Sequence, residues 1–252
     1  MVQTTDTGHV RTITLNRPEA MNAFNGAQFD ELTEALFNAG SDKNIRVVIL
    51  TGAGRAFTTG LDLSEVGQDV EPPKHGVPGL FNALIDFPKP LLLAINGFGV
   101  GFGATIIGLA DMAFMATSAR LRCPFTSLGV VGEAASTYLF PRIMGHQAAN
   151  WMLYSSEWFD AETCKEHGLV LDVFPDEKLL DEVMARAQTI AANSPVALMK
   201  SKQLAMRPIR DHIHAAIDAE GEVYDALHGG PENIEAINAF LEKREPDFSK
   251  FY

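Results

Sequence analysis

The 252-residue chain contains only two cysteines, and it has fewer basic than acidic residues. Cys123 and Cys164 are too few for a disulfide framework and lack metal-ligand spacing, so we expect two buried free thiols. Lys and Arg total 20 against 32 Asp and Glu, which gives a net charge of −12. Without any basic stripe, this charge argues against nucleic acid as a partner, although a local basic pocket for a small anion can coexist with it.

Long uninterrupted apolar runs are also absent. The longest apolar stretch, residues 97–116, contains five glycines, Thr105 and Asp111. It therefore fits a buried core better than a membrane span. The polar start MVQTTDTGHV does not resemble a signal peptide, and the ending SKFY is not a peroxisomal S-K-L address. These features predict a cytoplasmic protein that has no membrane partner.

Strands alternate with helices along most of the chain. The predicted strands are HVRTITLN, IRVVILTGA, KPLLLAIN, ADMAFMA and ARLRCPF. A helix is predicted over residues 26–39 with Asn25 as its N-cap, and polar residues 69–79 are expected to form a mobile surface loop. From residue 175 onward the pattern is helical, with a start at Ser194-Pro195 and a break at Gly230-Pro231. We therefore predict an α/β core over residues 1–190 and a helical segment over residues 191–252.

Two glycine-rich turns follow buried strands. GFGVGFGA, residues 97–104, superficially fits a dinucleotide-binding loop, but that loop belongs in the first strand–helix unit, and here at least two strands precede it. TGAGRAFTTGLDL, residues 51–63, leaves a strand in the same way. Two such turns can each direct a backbone N–H into one cleft and so form an oxyanion hole. Alternatively, both are simply tight turns.

Five segments in order along the chain resemble the crotonase, or enoyl-CoA hydratase/isomerase, superfamily. They are NRPEAMNAF, GAGRAFTTGLDL, AINGFGVGFGA, GHQAANWMLYSSEWFDAETCKEHGLVLDVFP and FLEKREPDF. The resemblance implies a spiral of ββα units with a C-terminal helical segment, assembled as a homotrimer or a dimer of trimers and acting in fatty acid metabolism. It implies that the N–H groups of Leu61 and Phe102 form an oxyanion hole for a thioester carbonyl. Gly60 and Gly103 would allow the close backbone approach.

The resemblance also implies where coenzyme A binds as part of the substrate; no separate cofactor and no metal are expected. Its adenine end should lie against Ala56, Thr58 and Asp62. Tyr224 and Lys243, in the helical segment, should contact it from a neighbouring subunit. The alternatives are ordinary packing for Tyr224, a solvated helix face for Lys243, and a purely structural role for Asp62.

The acid–base residues decide which reaction follows. At the two positions where hydratases of the family carry glutamates, this chain has Thr105 and Phe125, which argues against ordinary hydration. Glu133 has no Lys or Arg within eight residues, and its segment resembles the peroxisomal-type 3,2-enoyl-CoA isomerase branch. We predict that Glu133 is a base with a raised pKa; alternatively, it caps the following helix. Isomerisation is the predicted reaction, with hydratase, thioesterase, decarboxylase or non-catalytic acyl-CoA-binding functions as alternatives.

Three further residues have structural interpretations. Trp151 and Trp158 are predicted to belong to the core or to line the acyl pocket, with the core favoured. Asp111 is predicted to be structural, because it should lie a helix away from the proposed oxyanion hole.

Overall fold

The computed structural model describes residues 1–62 and 72–251, and within these ranges ten strands form two sheets. The strands are β1 (Val2–Thr7), β2 (Val10–Leu15), β3 (Val47–Gly52), β4 (Ala56–Thr58), β5 (Leu91–Ile95), β6 (Phe98–Val100), β7 (Met112–Ala116), β8 (Arg120–Arg122), β9 (Trp158–Asp160) and β10 (Asp172–Phe174). The larger sheet has the order β1-β2-β3-β5-β7-β10, and the smaller has the order β4-β6-β8-β9. Only the β1–β2 and β8–β9 pairs are antiparallel.

The helices cover these sheets and form the carboxy-terminal part of the chain. They are α1 (Gly26–Ser41), α2 (Gly76–Ile85), α3 (Phe102–Thr105), α4 (Ser136–Ile143), α5 (His146–Ser155), α6 (Ala161–Glu166), α7 (Leu179–Ala191), α8 (Pro195–Met206), α9 (Arg210–Leu227) and α10 (Pro231–Glu242). Three successive units each add one strand to the larger sheet, then one to the smaller, and then a helix. This repetition is the expected spiral of ββα units.

Local sequence signals explain the central elements. The first four residues of β3, VVIL, are apolar because α7 packs across the strand and the sheet is buried. α1 begins where Asn25 was predicted to cap it, and the Asn25 side chain accepts a hydrogen bond from the Gln28 N–H. The Ser194 cap and the break before Pro231 are also confirmed. The boundary proposed after residue 190 falls in the last turn of α7, whose inward residues belong to the main core.

The structure corrects two predictions. Residues 69–71 of the expected loop lie outside the described residues, but α2 already begins at Gly76, so the loop prediction extends too far. Pro78 is tolerated there because N–H groups in the first turn of a helix have no intrahelical partner. Trp151 and Trp158 are not in the core: they are 63% and 41% exposed. On α5, Ala149 and its inward neighbours fill the buried side, which leaves Trp151 on the outer face.

The smaller sheet positions the functional turns. β4 and β6 are parallel neighbours, with Ala56 opposite Phe98 and Thr58 opposite Gly99. Because parallel neighbours end at the same edge of a sheet, the turns that leave these two strands meet there. Among the described residues, no helix is long and apolar enough to cross a membrane.

Candidate active site

The turns after β4 and β6 bring two backbone N–H groups to one place. A side chain at Gly60 would put its first carbon 2.8 Å from the Val100 carbonyl oxygen and 3.4 Å from the Phe102 nitrogen. A side chain at Gly103 would overlap the Thr58 carbonyl oxygen. Neither the Leu61 N–H nor the Phe102 N–H donates a hydrogen bond to any acceptor within residues 1–62 and 72–251. This is the arrangement that an oxyanion hole requires: two fixed donors without protein partners.

Asn22, which the sequence reasoning missed, braces the first of these turns. Its buried side chain donates to the carbonyl oxygens of Ala53 (2.9 Å) and Ala56 (2.8 Å). Its own carbonyl accepts from the Thr58 hydroxyl at 2.7 Å, and that hydroxyl in turn accepts from the Gly60 N–H at 3.2 Å. Asn22 has a left-handed backbone (φ 56°), which Asn adopts more readily than most residues. Asn22 lies in NRPEAMNAF, one of the segments that carry the family resemblance, and this place in the sequence could have identified it.

Aromatic packing anchors the second turn. The Phe102 ring is buried, with its centroid 5.3 Å from that of Phe24 in an edge-to-face contact and 5.6 Å from that of Phe81. Aromatic pairs in such geometries add to the stabilisation from burial. The Phe102 side chain therefore belongs to the core, and only its N–H is available to the site.

Glu133 lies in the turn immediately before α4, which packs on residues 106–109 just after α3. The side chain is half-buried, and its carboxylate receives no hydrogen bond from the described part of the chain. Burial, assisted by the negative charge of Glu220, raises the pKa of Glu133 to about 7. A carboxylate with this pKa can both accept and return a proton near neutral pH.

The alternative interpretation of Glu133 as the cap of α4 is wrong. The first turn of α4 is capped instead by Glu220 of α9, whose carboxylate accepts from the N–H groups of Ala135 (2.7 Å) and Thr137 (2.9 Å). Sequence reasoning missed Glu220 because it lies 85 residues from the turn that it caps. At the two hydratase positions, Thr105 is fully buried and Phe125 belongs to the core.

The structure brings some of the predicted coenzyme A residues together. Ala56 and Thr58 are fully buried beside the first turn. Asp62 follows Leu61, and its carboxylate forms an ion pair with Arg17 at 3.0 Å. These contacts give all three residues structural roles in that turn, in addition to any contact with a ligand.

Tyr224 and Lys243 lie in the carboxy-terminal part of the chain, on α9 and just after α10. Tyr224 of α9 stacks on His228 at 5.4 Å. Burial and the nearby charge of Glu133 in the same chain raise its pKa. Lys243 is exposed just after α10, with a left-handed backbone (φ 56°). Asp111 is structural, as predicted: it accepts from the Leu91 N–H and from Lys202, each at 2.7 Å.

The described residues offer no site at which three His, Cys, Asp or Glu side chains could hold a metal ion. Cys123 and Cys164 are both buried as free thiols, as expected. Burial raises the pKa of the Cys123 thiol, and the Glu133 charge contributes to this rise. Cys123 is therefore a neutral neighbour of the candidate base.

Comparison with solved structures identifies the fold. An enoyl-CoA hydratase/isomerase from Pseudoalteromonas atlantica superposes with a TM-score of 0.93 at 33% identity, covering 98% of this chain and 99% of that one. An enoyl-CoA hydratase from Mycobacterium marinum is 48% identical, with a TM-score of 0.79, over 82% of this chain and 99% of that one. The α/β fold and its paired turns thus define a crotonase-fold protein.

Sequence comparison gives the family. The enoyl-CoA hydratase/isomerase family model matches residues 5–250, and the chain belongs to this family of enzymes. The 2,3-dehydroadipyl-CoA hydratase of Escherichia coli is 34% identical over 241 residues, which cover 95% of this chain and 94% of that protein. The enoyl-CoA delta isomerase 2 of Rattus norvegicus is 34% identical over 247 residues, 95% of this chain and 63% of that protein.

Proposed function

We propose that this enzyme converts a 3-enoyl-CoA thioester into the conjugated 2-enoyl-CoA, with Glu133 as its single acid–base group. The observation that carries the proposal is the state of Glu133: half-buried, without a hydrogen bond to its carboxylate among the described residues, and with a pKa raised to about 7. Thr105 and Phe125 stand at the two positions where the resemblance places the glutamates of hydratases. Neither side chain has a carboxylate that could transfer a proton.

The proposed reaction moves one proton along the acyl chain. Glu133 removes a proton from the α-carbon of the 3-enoyl thioester, and negative charge develops on the thioester oxygen. The N–H groups of Leu61 and Phe102 stabilise this charge, each contributing roughly 3 kcal/mol to the transition state. Glu133 then returns the proton to the γ-carbon of the dienolate. One base suffices because both carbons can lie on the same side of it.

Binding of coenzyme A is part of the same proposal. Asp62 directly follows Leu61 and is partly exposed, and we propose that the adenine end lies against it. Ala56 and Thr58 are fully buried and support that turn from within, so their predicted contact with the ligand is not part of the proposal. Tyr224 lies near Glu133 in the same chain. This supports a role for residues 191–252 in closing the site, and it makes Tyr224 a candidate contact for the thioester end. Lys243 remains a proposed contact from the end of α10.

Assembly into a trimer or a dimer of trimers is also proposed. It is supported by an exposed aromatic surface on α5 and β9, where Trp151, Tyr154 and Trp158 are 63%, 67% and 41% exposed. Aromatic residues are enriched at the centres of protein–protein interfaces. Light scattering tests the proposal: a mass of three or six chains supports it, and a monomer contradicts it.

The reaction is tested by adding purified enzyme to 3-hexenoyl-CoA and following the ultraviolet absorbance of the conjugated product, with hydration of crotonyl-CoA run in parallel. We expect fast conjugation, slow hydration, and a loss of about 10²–10⁴-fold in kcat for Glu133→Gln. Calorimetry should show that this variant still binds an acyl-CoA. Glu166→Gln, which removes an exposed carboxylate, is the matched control.

The parallel assays also discriminate between the alternatives. Fast hydration without conjugation would contradict the proposal and favour the hydratases among the relatives. Turnover that is unchanged in Glu133→Gln would refute the role of Glu133. Acyl-CoA binding without turnover of either substrate would favour another reaction or a non-catalytic function.

A further inference from the structure

Glu220 is a buried carboxylate that the proposed reaction does not use. It lies on α9 and is 6% exposed. Its two oxygens accept three hydrogen bonds from the start of α4: from the Ala135 N–H at 2.7 Å, the Thr137 N–H at 2.9 Å and the Thr137 hydroxyl at 2.6 Å. Burial raises the pKa of Glu220, and the three donated hydrogen bonds oppose this rise because they favour the ionised form. The side chain thus joins the carboxy-terminal helices to one turn of the core.

That turn has an uncommon backbone conformation. Ala134 and Ala135 both have φ of +57°, in the left-handed region that residues with a β-carbon seldom adopt. Ala135 has no side chain that could cap α4, so Glu220 supplies the cap from another helix. Strained backbone of this kind persists only where its surroundings hold it in place. Glu220 provides such a hold: it binds Ala135, the second member of the strained pair, and Thr137, two residues further along the chain.

Glu133 is the residue immediately before this strained pair, and its carbonyl accepts the N–H of Ser136 at 3.0 Å. Its backbone therefore belongs to the same hydrogen-bonded turn as the groups that Glu220 binds. Any relaxation of Ala134 and Ala135 toward ordinary φ values would rotate the chain at Glu133 and redirect its carboxylate. The direction of the Glu133 side chain thus depends on the contacts of Glu220.

We propose that Glu220 is a positioning residue: it fixes the strained turn and so aims the Glu133 carboxylate at the α- and γ-carbons of the acyl chain. This inference rests on the proposed function of Glu133. Glu220 touches neither substrate nor reacting atoms and acts through the turn.

The charge of Glu220 has a second effect on Glu133. Within the described residues no Lys or Arg forms an ion pair with Glu220, so its charge acts on Glu133 and raises the pKa of that carboxyl. Among residues 1–62 and 72–251, the other titratable groups that face Glu133 are Cys123 and Tyr224, and both stay neutral because burial raises their pKa. On α9, His212 stacks on Tyr138 of α4 at 5.8 Å.

The test replaces Glu220 with Gln, which keeps the shape and one acceptor oxygen but removes the charge. We expect kcat for 3-hexenoyl-CoA to fall by about 10²-fold, the loss typical of a misplaced catalytic group, with KM nearly unchanged. The midpoint of the rate–pH profile, expected at about pH 7 in the wild type, should move to lower pH because a neighbouring negative charge has gone. Asp218→Asn, at an exposed site on the same helix, is the matched control and should move neither quantity.

A second variant separates the hydrogen bonds from the charge. Thr137→Val removes the hydroxyl contact but leaves the Glu220 charge and both backbone contacts. We expect a smaller fall in kcat and no movement of the pH midpoint. This variant keeps the test decisive if Glu220→Gln does not fold. If Thr137→Val matches the wild type in kcat, or if folded Glu220→Gln keeps wild-type kcat and pH midpoint, the inference is overturned.

Failure of the proposed function is distinguishable from failure of this inference. Infrared spectroscopy can follow protonation of the Glu133 carboxyl without substrate, with the band assigned from its loss in Glu133→Gln. If the wild type does not isomerise 3-hexenoyl-CoA but Glu220→Gln still lowers the pH at which Glu133 titrates, the influence of Glu220 on Glu133 stands and the proposed reaction fails. If the wild type isomerises, and Glu220→Gln matches it both in kcat and in the titration of the Glu133 band, the inference fails.

Discussion

The raised pKa of Glu133 predicts that the candidate base destabilises the folded protein. A rise from the ordinary value of 4.5 to about 7, at about 1.4 kcal/mol for each tenfold change in the protonation equilibrium, corresponds to roughly 3 kcal/mol. Because the carboxylate is only half-buried, solvent reduces this, and we take about 2 kcal/mol as the working magnitude. Glu133→Gln should therefore be more stable than the wild type at pH 8 by about this amount.

The pH dependence of the free energy of unfolding shows whether Glu133 stabilises or destabilises the folded protein. Between pH 4.5 and about pH 7 the unfolded chain has released the Glu133 proton while the folded chain still holds it. The contribution of Glu133 to the free energy of unfolding therefore falls with rising pH across this window and then levels off. The gain from Glu133→Gln should grow across the same window, from near zero at its acid end to its full size above pH 7.

Urea unfolding at a series of pH values measures this difference, at one protein concentration because oligomers unfold in a concentration-dependent manner. Glu235→Gln is a control of opposite sign. Arg244, Lys250 and the Asp247 N–H hold the pKa of Glu235 well below its usual range, so this variant should lose stability at neutral pH and lose less in acid. If the free energies of unfolding of Glu133→Gln and the wild type differ by the same amount at every pH from 4.5 to 8, the reasoning is refuted.

Two further predictions concern the turns that carry the N–H groups. Gly103→Ala should lower kcat by about 10²-fold with little change in circular dichroism. The added methyl group would overlap the Thr58 carbonyl oxygen, so the backbone at residue 103 must shift, and we expect the adjoining Phe102 N–H to move with it. A kcat equal to that of the wild type would contradict the assignment of this donor. Asn22→Ala leaves the carbonyl oxygens of Ala53 and Ala56 without their side-chain donor, so urea unfolding should show a loss of about 2–3 kcal/mol. A loss within experimental error would mean that water replaces the amide.

The sequence predicts what local patterns determine. β3 is recognisable as a run of apolar residues, and α1 from its periodicity and its Asn25 cap, because each depends on neighbours within a few residues. β1 was missed because it is an edge strand with five exposed residues, so it lacks an apolar pattern. Trp151 was misplaced because residue type alone does not determine which face of a helix is buried.

The residues of the candidate site also divide into those that the sequence indicates and those that it does not. Gly60 and Gly103 carried a signal, since glycine is required where two backbones meet. Glu133 was identifiable as a carboxylate in an apolar segment, and its raised pKa agrees with that prediction. Glu220 carried no signal, because its hydrogen bonds to the α4 turn exist only once α9 has packed on α4. Contacts between distant segments are therefore what sequence patterns did not supply.

In the proposed site, backbone N–H groups stabilise the oxyanion and a single carboxylate transfers the proton. This separation explains how one fold can carry different reactions. The proposed oxyanion donors are backbone groups, so their role does not restrict the side chains at Leu61 and Phe102, and the Phe102 ring is buried in the core. We propose that the position of the carboxylate base is what differs between these reactions. Here the proposed base lies in a strained turn before α4. At the two positions where the family resemblance places the glutamates of hydratases, this chain has a threonine and a phenylalanine. Relatives that include both a hydratase and an isomerase at 34% identity are consistent with a fixed pair of donors and a movable base.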